Sequence, residues 1–399
     1  MNKQESPSIE CLVTEEEIRH TIEQIKSVLS ERRIGIRDIK VRIGPTVSTY
    51  KVFPEPGEKI SKIKSLENNI TMNLEKNGVR IVTLTDSVGV EVPNDNRSVV
   101  HLKSMLESDA FKYSHAELPL AIGYSSIVGN KVIDLTDAPH ILLAGATKQG
   151  KTVCLHTMVA SLLYSKRPDE LKMVFIDPKN VEFGSYGKLL NHYLAVSPTS
   201  SSGGEEHANA IVTKTPDAAV VLEGLCAEME ARYDKLVDAK ANNIKQYNGL
   251  DMPYIVCFVD EFADLTVPDS NKDLKALTRR IMTAIIRLAM KGRAVGIHMI
   301  IATQKLSTDV ITGLIKVNFP SRIAFKTGSR IESTTILDMP GAERLINSGD
   351  MLLEQGVDLE RLQGGYISKE EVDALVDAIS QKGIGSPYYL PTHVESEKV

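Results

Sequence analysis

The chain has 399 residues, enough for two domains, and its 42% hydrophobic and 25% charged content is that of an ordinary globular protein. Its formal net charge of −5 excludes an overall basic field, so any site for a polyanion has to be a local patch. No apolar run approaches the roughly 18 residues of a membrane helix, and the four widely spaced cysteines suit a reducing cytosol.

The first predicted element is a helix from Thr14 to Arg33. Thr14 and Glu17 form a capping-box pattern, and aliphatic residues recur behind them at helical spacing. We therefore expect residues 1–36 to form a helical arm.

The next stretch alternates strand-like runs with a single helix near residues 60–75. The runs are IKVRIGP, TVSTYKVFP, VRIVTLT and VGVEVP. They predict a small α+β subdomain over residues 37–113. It holds no cluster of catalytic residue types, so it reads as a structural or interacting unit.

From about residue 119, nearly continuous apolar runs alternate with helical stretches. The runs are ILLAG, KMVFID, YIVCFVD, GIHMIIAT and SRIAFKT, and the helices fall at 152–164, 216–238, 272–291 and 309–315. This alternation predicts an α/β fold over residues 114–380, with a parallel sheet covered on both faces. The remaining residues, 381–399, read as a polar tail.

A glycine-bracketed loop follows the first of these runs. It reads GATKQGKT and matches the phosphate-binding pattern G-x-x-x-x-G-K-[ST]. Glycines let backbone N–H groups point at phosphate oxygens, and the following helix adds the positive end of its dipole. The predicted ATP-binding residues are Gly145, Ala146, Thr147, Lys148, Gln149, Gly150, Lys151, Thr152 and Val153. Lys151 would reach the β- and γ-phosphates, and the Thr152 hydroxyl would ligate Mg²⁺.

A later apolar run ends in two consecutive carboxylates, Asp260 and Glu261. Asp260 would hold Mg²⁺ through water, and Glu261 would polarise the attacking water. The next run ends at Gln304, which would sense the γ-phosphate from a neighbouring strand tip. A solvated acidic turn is the ordinary alternative, and the phosphate loop upstream favours the functional interpretation.

Two further features stay open at this point. Arg293, just before the third run, would act in trans as an arginine finger or would be an ordinary surface arginine. The segment Asp177-Pro178-Lys179 also ends a strand-like run, and no role is assigned to it.

Several segments together closely resemble the motor region of the FtsK/SpoIIIE DNA translocases. They are HILLAGATKQGKT, FIDPKNVEFGSY, VDEFADL and residues 292–353, and the small α+β unit resembles the family's α subdomain. The resemblance implies a RecA-like P-loop core in a homo-hexameric ring that hydrolyses ATP with Mg²⁺ and pumps double-stranded DNA through its pore. It also implies that Gln304 is the sensor, Arg293 the finger, and Lys316 and Arg330 the DNA contacts.

The chain also departs from the family pattern. Lys148 and Gln149 replace a small pair in the loop, and Thr334 replaces a basic residue, which predicts a weaker grip on DNA. The family's membrane-spanning region and winged-helix domain are missing, so we expect an excised motor or a short relative. Either would be cytoplasmic unless a further N-terminal region tethers it, and would serve chromosome or mobile-element DNA segregation.

Two alternatives are kept. A related ring ATPase would move another cargo, as a conjugation coupling protein or a secretion-system motor does. A degenerate module would clamp DNA without hydrolysis, although intact Lys151, Asp260 and Glu261 argue against this.

Overall fold

The computed structural model describes residues 11–198, 210–247, 249, 251–266, 272–346, 348–356, 358–382 and 385–391. The first ten residues of the predicted arm and residues 392–399 of the predicted tail lie outside this described part.

The N-terminal elements build a small antiparallel sheet with helices on it. They are α1 (Glu15–Glu31), β1 (Ile36–Arg42), β2 (Val47–Pro54), α2 (Ile60–Lys64), α3 (Glu67–Leu74), β3 (Arg80–Thr83) and β4 (Val88–Pro93). The strand order is β1-β2-β4-β3, and all the pairs are antiparallel. The predicted α+β character is confirmed, although the single helix expected near residues 60–75 is two short ones.

Helix α1 packs on this sheet and does not project as an arm. The helix begins after Thr14, whose hydroxyl accepts the backbone N–H of Glu17 at 3.1 Å. Its residues Ile25 and Leu29 are buried in one cluster with Tyr50 and Val52 of β2. Because the apolar stripe of the helix is covered, α1 belongs to the core of the small unit.

The remaining elements build one large sheet with helices on both faces. They are α4 (Leu102–Leu106), α5 (Asp109–Lys112), β5 (Pro119–Ser125), β6 (Gly129–Asp134), β7 (His140–Ala144), α6 (Lys151–Ser165), β8 (Leu171–Ile176), β9 (Ala195–Val196), α7 (Thr215–Asp238), β10 (Tyr254–Val259), α8 (Phe262–Thr266), α9 (Lys272–Lys291), β11 (Ile297–Thr303), α10 (Gly313–Asn318), β12 (Ser321–Phe325), α11 (Arg330–Leu337), β13 (Asp350–Gln355), β14 (Asp358–Gly364), α12 (Lys369–Ser380) and β15 (Tyr388–Tyr389).

The large sheet has the order β6-β5-β14-β13-β12-β7-β11-β10-β8. From β12 to β8 the five neighbouring strands are parallel, as predicted from their continuous apolar runs. From β12 to β6 the pairs are antiparallel, so the predicted parallel strands form one half of a mixed sheet. The phosphate-loop strand β7 lies between β11 and β12, which brings the ends of β10, β11 and β7 to one edge.

Two other expectations differ from the structure. The helix predicted at residues 309–315 begins at Gly313, because Thr312 caps it by accepting the N–H of Ile315 at 3.3 Å. In the predicted tail, β15 pairs with β9 and buries Leu390, so this part of the chain is docked on the body.

A buried ionic network joins the two sheets. Arg361 on β14 contacts both carboxylate oxygens of Asp350 at 3.0 and 2.7 Å, and donates to the carbonyl of Gly78 at 2.8 Å. It also lies 3.5 Å from Glu91 on β4, which faces Arg80 at 3.3 Å. Burial alone would lower the pKa of Arg361, but the two carboxylates raise it well above its ordinary value. The small unit is therefore anchored to the large sheet by paired charges.

Two buried histidines, His140 and His298, and the partly buried His156 should make the fold sensitive to mild acid. Burial lowers the pKa of His140 to about 3, and that of His156 and His298 to about 4. In the unfolded chain the same groups titrate near pH 6.5, so below that pH the unfolded state binds more protons. The contribution of these histidines to the free energy of unfolding is therefore fully present above about pH 6.5. As the pH falls from about 6.5 to the folded-state pKa, each histidine lowers that free energy by about 1.4 kcal/mol per pH unit.

Urea unfolding measured between pH 7 and pH 5 checks this expectation. The unfolding midpoint should fall steadily, and His298→Gln should reduce the slope. The exposed His115 provides a control, because His115→Gln should leave the slope as it is. A midpoint independent of pH over this range would contradict the prediction.

Candidate nucleotide-binding site

The loop between β7 and α6 is held by backbone contacts on both sides. Ala146 donates its N–H to the carbonyl of Lys326 at 3.1 Å, and Gly349 donates to the carbonyl of Gln149 at 3.0 Å. Gly150 has φ +112°, and a Cβ there would lie 2.8 Å from the Gly349 Cα. Only glycine suits this position, because both the positive φ and the neighbouring backbone exclude a side chain.

The side chain of Lys151 points from the start of α6 to the two consecutive carboxylates. Its Nζ lies 2.8 Å from Asp260 Oδ1 and 3.8 Å from Glu261 Oε2, and all three side chains are 4% exposed. The Nζ and Asp260 Oδ1 are buried without an aligned hydrogen-bond partner. The two charges pair with each other, but both atoms keep hydrogen-bonding capacity that a ligand would use.

The carboxylate of Glu261 is fixed by several donors. Oε1 accepts from the Thr303 hydroxyl at 2.9 Å and from the N–H of Gln304 at 3.1 Å, and Oε2 faces Lys179 Nζ at 3.1 Å. Burial alone would raise the pKa of Glu261, but the Gln304 N–H, Lys151 and the other donors outweigh it and lower the pKa. The group is therefore ionised at neutral pH. Glu261 also has φ +45°, which is uncommon for a residue other than glycine.

Gln304 is brought to the phosphate loop, as expected for a sensor position. Its Oε1 accepts from the Thr147 hydroxyl at 2.8 Å. Since β11 lies between β7 and β10, Gln304 at its end touches both the loop and, through its N–H, Glu261.

A cavity of about 550 Å³ opens beside the loop. The loop residues that line it are Ala146, Lys148, Gly150, Lys151, Thr152 and Val153; Gly145, Thr147 and Gln149 lie outside this lining. Val100, Phe325 and Tyr366 form apolar parts of its wall. These three wall residues were not predicted from the sequence. Backbone hydrogen bonds join Tyr366 to Val100 and Leu102, and such contacts link parts of the chain that are far apart in sequence. The volume is in the range of small-molecule sites.

The residues at the site suit Mg²⁺ only together with phosphate. Among the described residues there is no group of three His, Cys, Asp or Glu side chains that would hold a metal by itself. Asp260 Oδ1 and the Thr152 hydroxyl are oxygen ligands of the kind that Mg²⁺ uses together with substrate phosphates. The donor set therefore fits a metal that arrives with a nucleotide.

A loop after β8 adds two residues that the sequence left without a role. Lys179 contacts Glu261, as described above, and also lies 3.8 Å from Asp264. Glu182 accepts a hydrogen bond from the Thr152 hydroxyl at 3.0 Å. Burial raises the pKa of Glu182, as do the nearby charges of Asp260 and Asp177, although the Thr152 hydrogen bond opposes this.

Arg293 is not part of the site on its own chain. It donates to the carbonyl of Thr136 at 3.1 Å and lies 3.8 Å from Asp137, before β7 and β11 begin. Strand β11 has seven residues and thus separates Arg293 from Gln304 by about 20 Å. The guanidinium is largely exposed at the opposite edge of the sheet.

The two candidate DNA contacts lie on neighbouring helices, Lys316 on α10 and Arg330 on α11. Arg330 is exposed at the start of α11, and Lys316 contacts Asp338 just after its end at 2.5 Å. Asp338 is also 2.7 Å from Arg322. Eight helical residues separate Arg330 from Asp338, the partner of Lys316, by about 12 Å along the helix axis.

Comparison with known proteins agrees with this geometry. A model of the FtsK/SpoIIIE family matches residues 101–252 and 249–308, and one of the FtsK alpha domain matches residues 3–94. The DNA translocase FtsK of Chlorobaculum tepidum is 41% identical over 92% of this chain and 45% of its own length. The DNA translocase SftA of Bacillus subtilis is 40% identical over 86% of this chain and 35% of its own length. The chain thus spans less than half of these relatives.

Solved structures show the same fold. The pCW3 conjugation coupling protein TcpA, in a structure with ATPγS, has a TM-score of 0.61 and 21% identity and covers 90% of this chain and 99% of its own. The cytoplasmic domain of the type VII secretion ATPase EccC of Thermomonospora curvata has a TM-score of 0.55 and 22% identity over 69% of this chain and 32% of its own. The predicted P-loop ATPase fold is confirmed. No helix in the described ranges is long and apolar enough to cross a membrane.

Proposed function

Because the chain belongs to the FtsK/SpoIIIE family of P-loop ATPases, we propose that it hydrolyses ATP with Mg²⁺ and uses the energy to translocate double-stranded DNA. The observation that carries the proposal is the meeting of Lys151, Asp260 and Glu261 beside a glycine-dependent phosphate loop. A lysine, a metal-binding carboxylate and an ionised base are what phosphoryl transfer to water requires.

Each side chain has a distinct task in this proposal. Lys151 binds the β- and γ-phosphates in place of the carboxylates, and Gln304 contacts the γ-phosphate from the tip of β11. Thr152 and Asp260 would hold Mg²⁺, which when bound supplies positive charge to the phosphate oxygens. Glu261 orients the attacking water and accepts its proton, and its lowered pKa keeps the carboxylate ionised at neutral pH.

The assignment of DNA as the cargo rests on the relatives and on local charge. The relatives at 41% and 40% identity are named DNA translocases, whereas the coupling protein and the secretion ATPase share only the fold at 21% and 22%. Lys316 and Arg330 would contact phosphates, which gives affinity without sequence preference.

We further propose a homo-hexameric ring that works in the cytoplasm on chromosome or mobile-element DNA. The position of Arg293 supports a ring, because a residue at the far edge of the sheet reaches a phosphate only in a neighbouring subunit. The division into an arm (1–36), a small subdomain (37–113), a P-loop subdomain (114–380) and a tail (381–399) is kept as a proposal, with α1 packed on the small subdomain.

Steady-state ATP hydrolysis with and without long linear duplex DNA tests the proposed function. We expect strong stimulation that grows with duplex length, because a motor that moves along DNA keeps turning over until it reaches an end. Lys151→Ala is the blank, since it removes the phosphate-binding ammonium. Hydrolysis that is indifferent to DNA would overturn the DNA assignment and would favour another cargo.

A paired variant separates the DNA contacts from the ATPase site. Lys316→Ala with Arg330→Ala should raise the duplex concentration that gives half-maximal stimulation. Lys235→Ala is the matched control, because it removes one exposed lysine that is paired with Asp251 at 2.6 Å. Equal behaviour of the two variants would contradict the proposed contacts.

A further inference from the structure

The loop that follows β8 is shaped by one buried carboxylate. Asp177 is fully buried, and its Oδ2 accepts the N–H groups of Val181, Glu182 and Phe183 at 2.9, 2.9 and 3.2 Å. Its Oδ1 accepts the N–H of Lys179 at 3.2 Å. Four donors on one side chain fix the path of the loop, so the Glu182 side chain leaves it from a defined position.

The Glu182 side chain is directed to the start of α6. Its Oε1 accepts the hydrogen of the Thr152 hydroxyl at 3.0 Å, and the glutamate is partly buried there. This bond connects two chain segments 30 residues apart, and it ends on the hydroxyl assigned to Mg²⁺. Charges of both signs act on Glu182, since Asp260 and Asp177 repel its carboxylate and Lys151 attracts it.

A hydroxyl that ligates a cation can use only its lone pairs for the metal. Its proton has to point away from the metal and needs an acceptor. An ionised acceptor gives a charge-assisted hydrogen bond, which fixes the hydroxyl rotor and makes its oxygen more electron-rich. Glu182 is an acceptor already in place at this hydroxyl.

We propose that Glu182 is a positioning residue for the metal ligand Thr152: it accepts the Thr152 proton and so turns the hydroxyl oxygen towards Mg²⁺. The inference rests on the proposed function, because it requires a nucleotide that binds with Mg²⁺. In this proposal Glu182 acts through the Thr152 hydroxyl and is not itself a ligand of the metal or the phosphates. Its effect is on how well the chain holds Mg²⁺ with a nucleotide.

Binding of a fluorescent ADP analogue, measured in EDTA and then across a Mg²⁺ titration, tests this role without hydrolysis. For Glu182→Ala, the Mg²⁺ concentration that half-maximally tightens binding should rise about 10–100-fold. Glu182→Gln keeps an acceptor without charge and should show a smaller rise. In EDTA, both variants should bind the analogue as the unchanged chain does.

A double-variant cycle separates positioning from a general structural effect. In a Thr152→Val background there is no hydroxyl to orient, so adding Glu182→Gln should not shift the Mg²⁺ midpoint further. Glu170→Gln, at the other end of β8, is the control for loss of a glutamate charge and should leave the midpoint unchanged.

The outcomes distinguish the two claims. Suppose that the unchanged chain binds the analogue more tightly with Mg²⁺, and that Glu182→Ala has the same half-maximal Mg²⁺ concentration. The positioning role is then overturned and the proposed function stands. An equal shift from Glu182→Gln with and without the Thr152 hydroxyl would also overturn it. If the unchanged chain does not bind the analogue, the proposed function is overturned together with this inference.

Discussion

Glu261→Gln should bind ATP normally but hydrolyse it about 10²–10⁴-fold more slowly, which is the usual contribution of a general base. The amide oxygen still accepts from Thr303 and Gln304, so the strand tip keeps its hydrogen bonds. The amide does not accept a proton at neutral pH, however, and it leaves Lys179 with the more distant Asp264 carboxylate in place of Glu261. Single-turnover hydrolysis together with equilibrium nucleotide binding measures the two effects separately.

Asp264→Asn is the matched control for this variant. Asp264 is the next carboxylate along the chain and shares Lys179 with Glu261, at 3.8 Å, but its side chain is about half exposed. We expect the hydrolysis rate of Asp264→Asn to stay within a factor of about two of the unchanged chain, since ion pairs this exposed contribute little. If Glu261→Gln kept a rate near that of the control, the assignment of the base would be wrong.

Arg361→Met should destabilise the chain by about 3–5 kcal/mol, the usual result of removing one partner of a buried ion pair. Asp350 would lose its guanidinium partner, and Glu91 would keep only Arg80, while both carboxylates remain buried. The carbonyl of Gly78 would also lose its donor. Chemical denaturation followed by circular dichroism measures the shift in the unfolding midpoint.

Two further variants make this test specific. Arg287→Met removes an arginine that is paired with Glu230 at 3.1 Å on the surface, and the midpoint should hardly move. Arg361→Met combined with Asp350→Asn should be less destabilising than the sum of the two single changes, because the neutral amide needs no counter-charge. A shift for Arg361→Met no larger than that for Arg287→Met would contradict the role of the network.

The parallel part of the large sheet was predictable because its signals are local. The apolar runs of β7, β10 and β11, and the glycine loop before α6, each lie within a few consecutive residues. Strands β13 and β14 escaped prediction. The apolar run of β13 is only three residues long, β14 mixes charged with apolar residues, and both strands are defined by their pairing with each other. The start of α10 was misplaced by four residues because the capping threonine, Thr312, follows an earlier helix-like pattern.

In the candidate site, too, the residues in local motifs were predictable, and the residue with a long-range contact was not. Lys151, Asp260, Glu261 and Gln304 stand at fixed places in motifs, and the structure brings all four together. Glu182 carries no motif of its own that points to Thr152. Its contact depends on the loop path that Asp177 imposes, and such a path becomes visible only in three dimensions.

The ion pair between Lys316 and Asp338 bears on how fast the proposed motor would dissociate from a DNA phosphate. In the proposed DNA contact, a lysine that leaves a phosphate returns to the carboxylate of Asp338, which lies 2.5 Å away. That carboxylate is in turn supported by Arg322 whether or not the lysine is present. The ion pair stabilises the released lysine, so the free energy of the proposed DNA contact is smaller and dissociation is faster. A motor that exchanges one phosphate for the next many times moves faster when each phosphate contact is weak and dissociates rapidly.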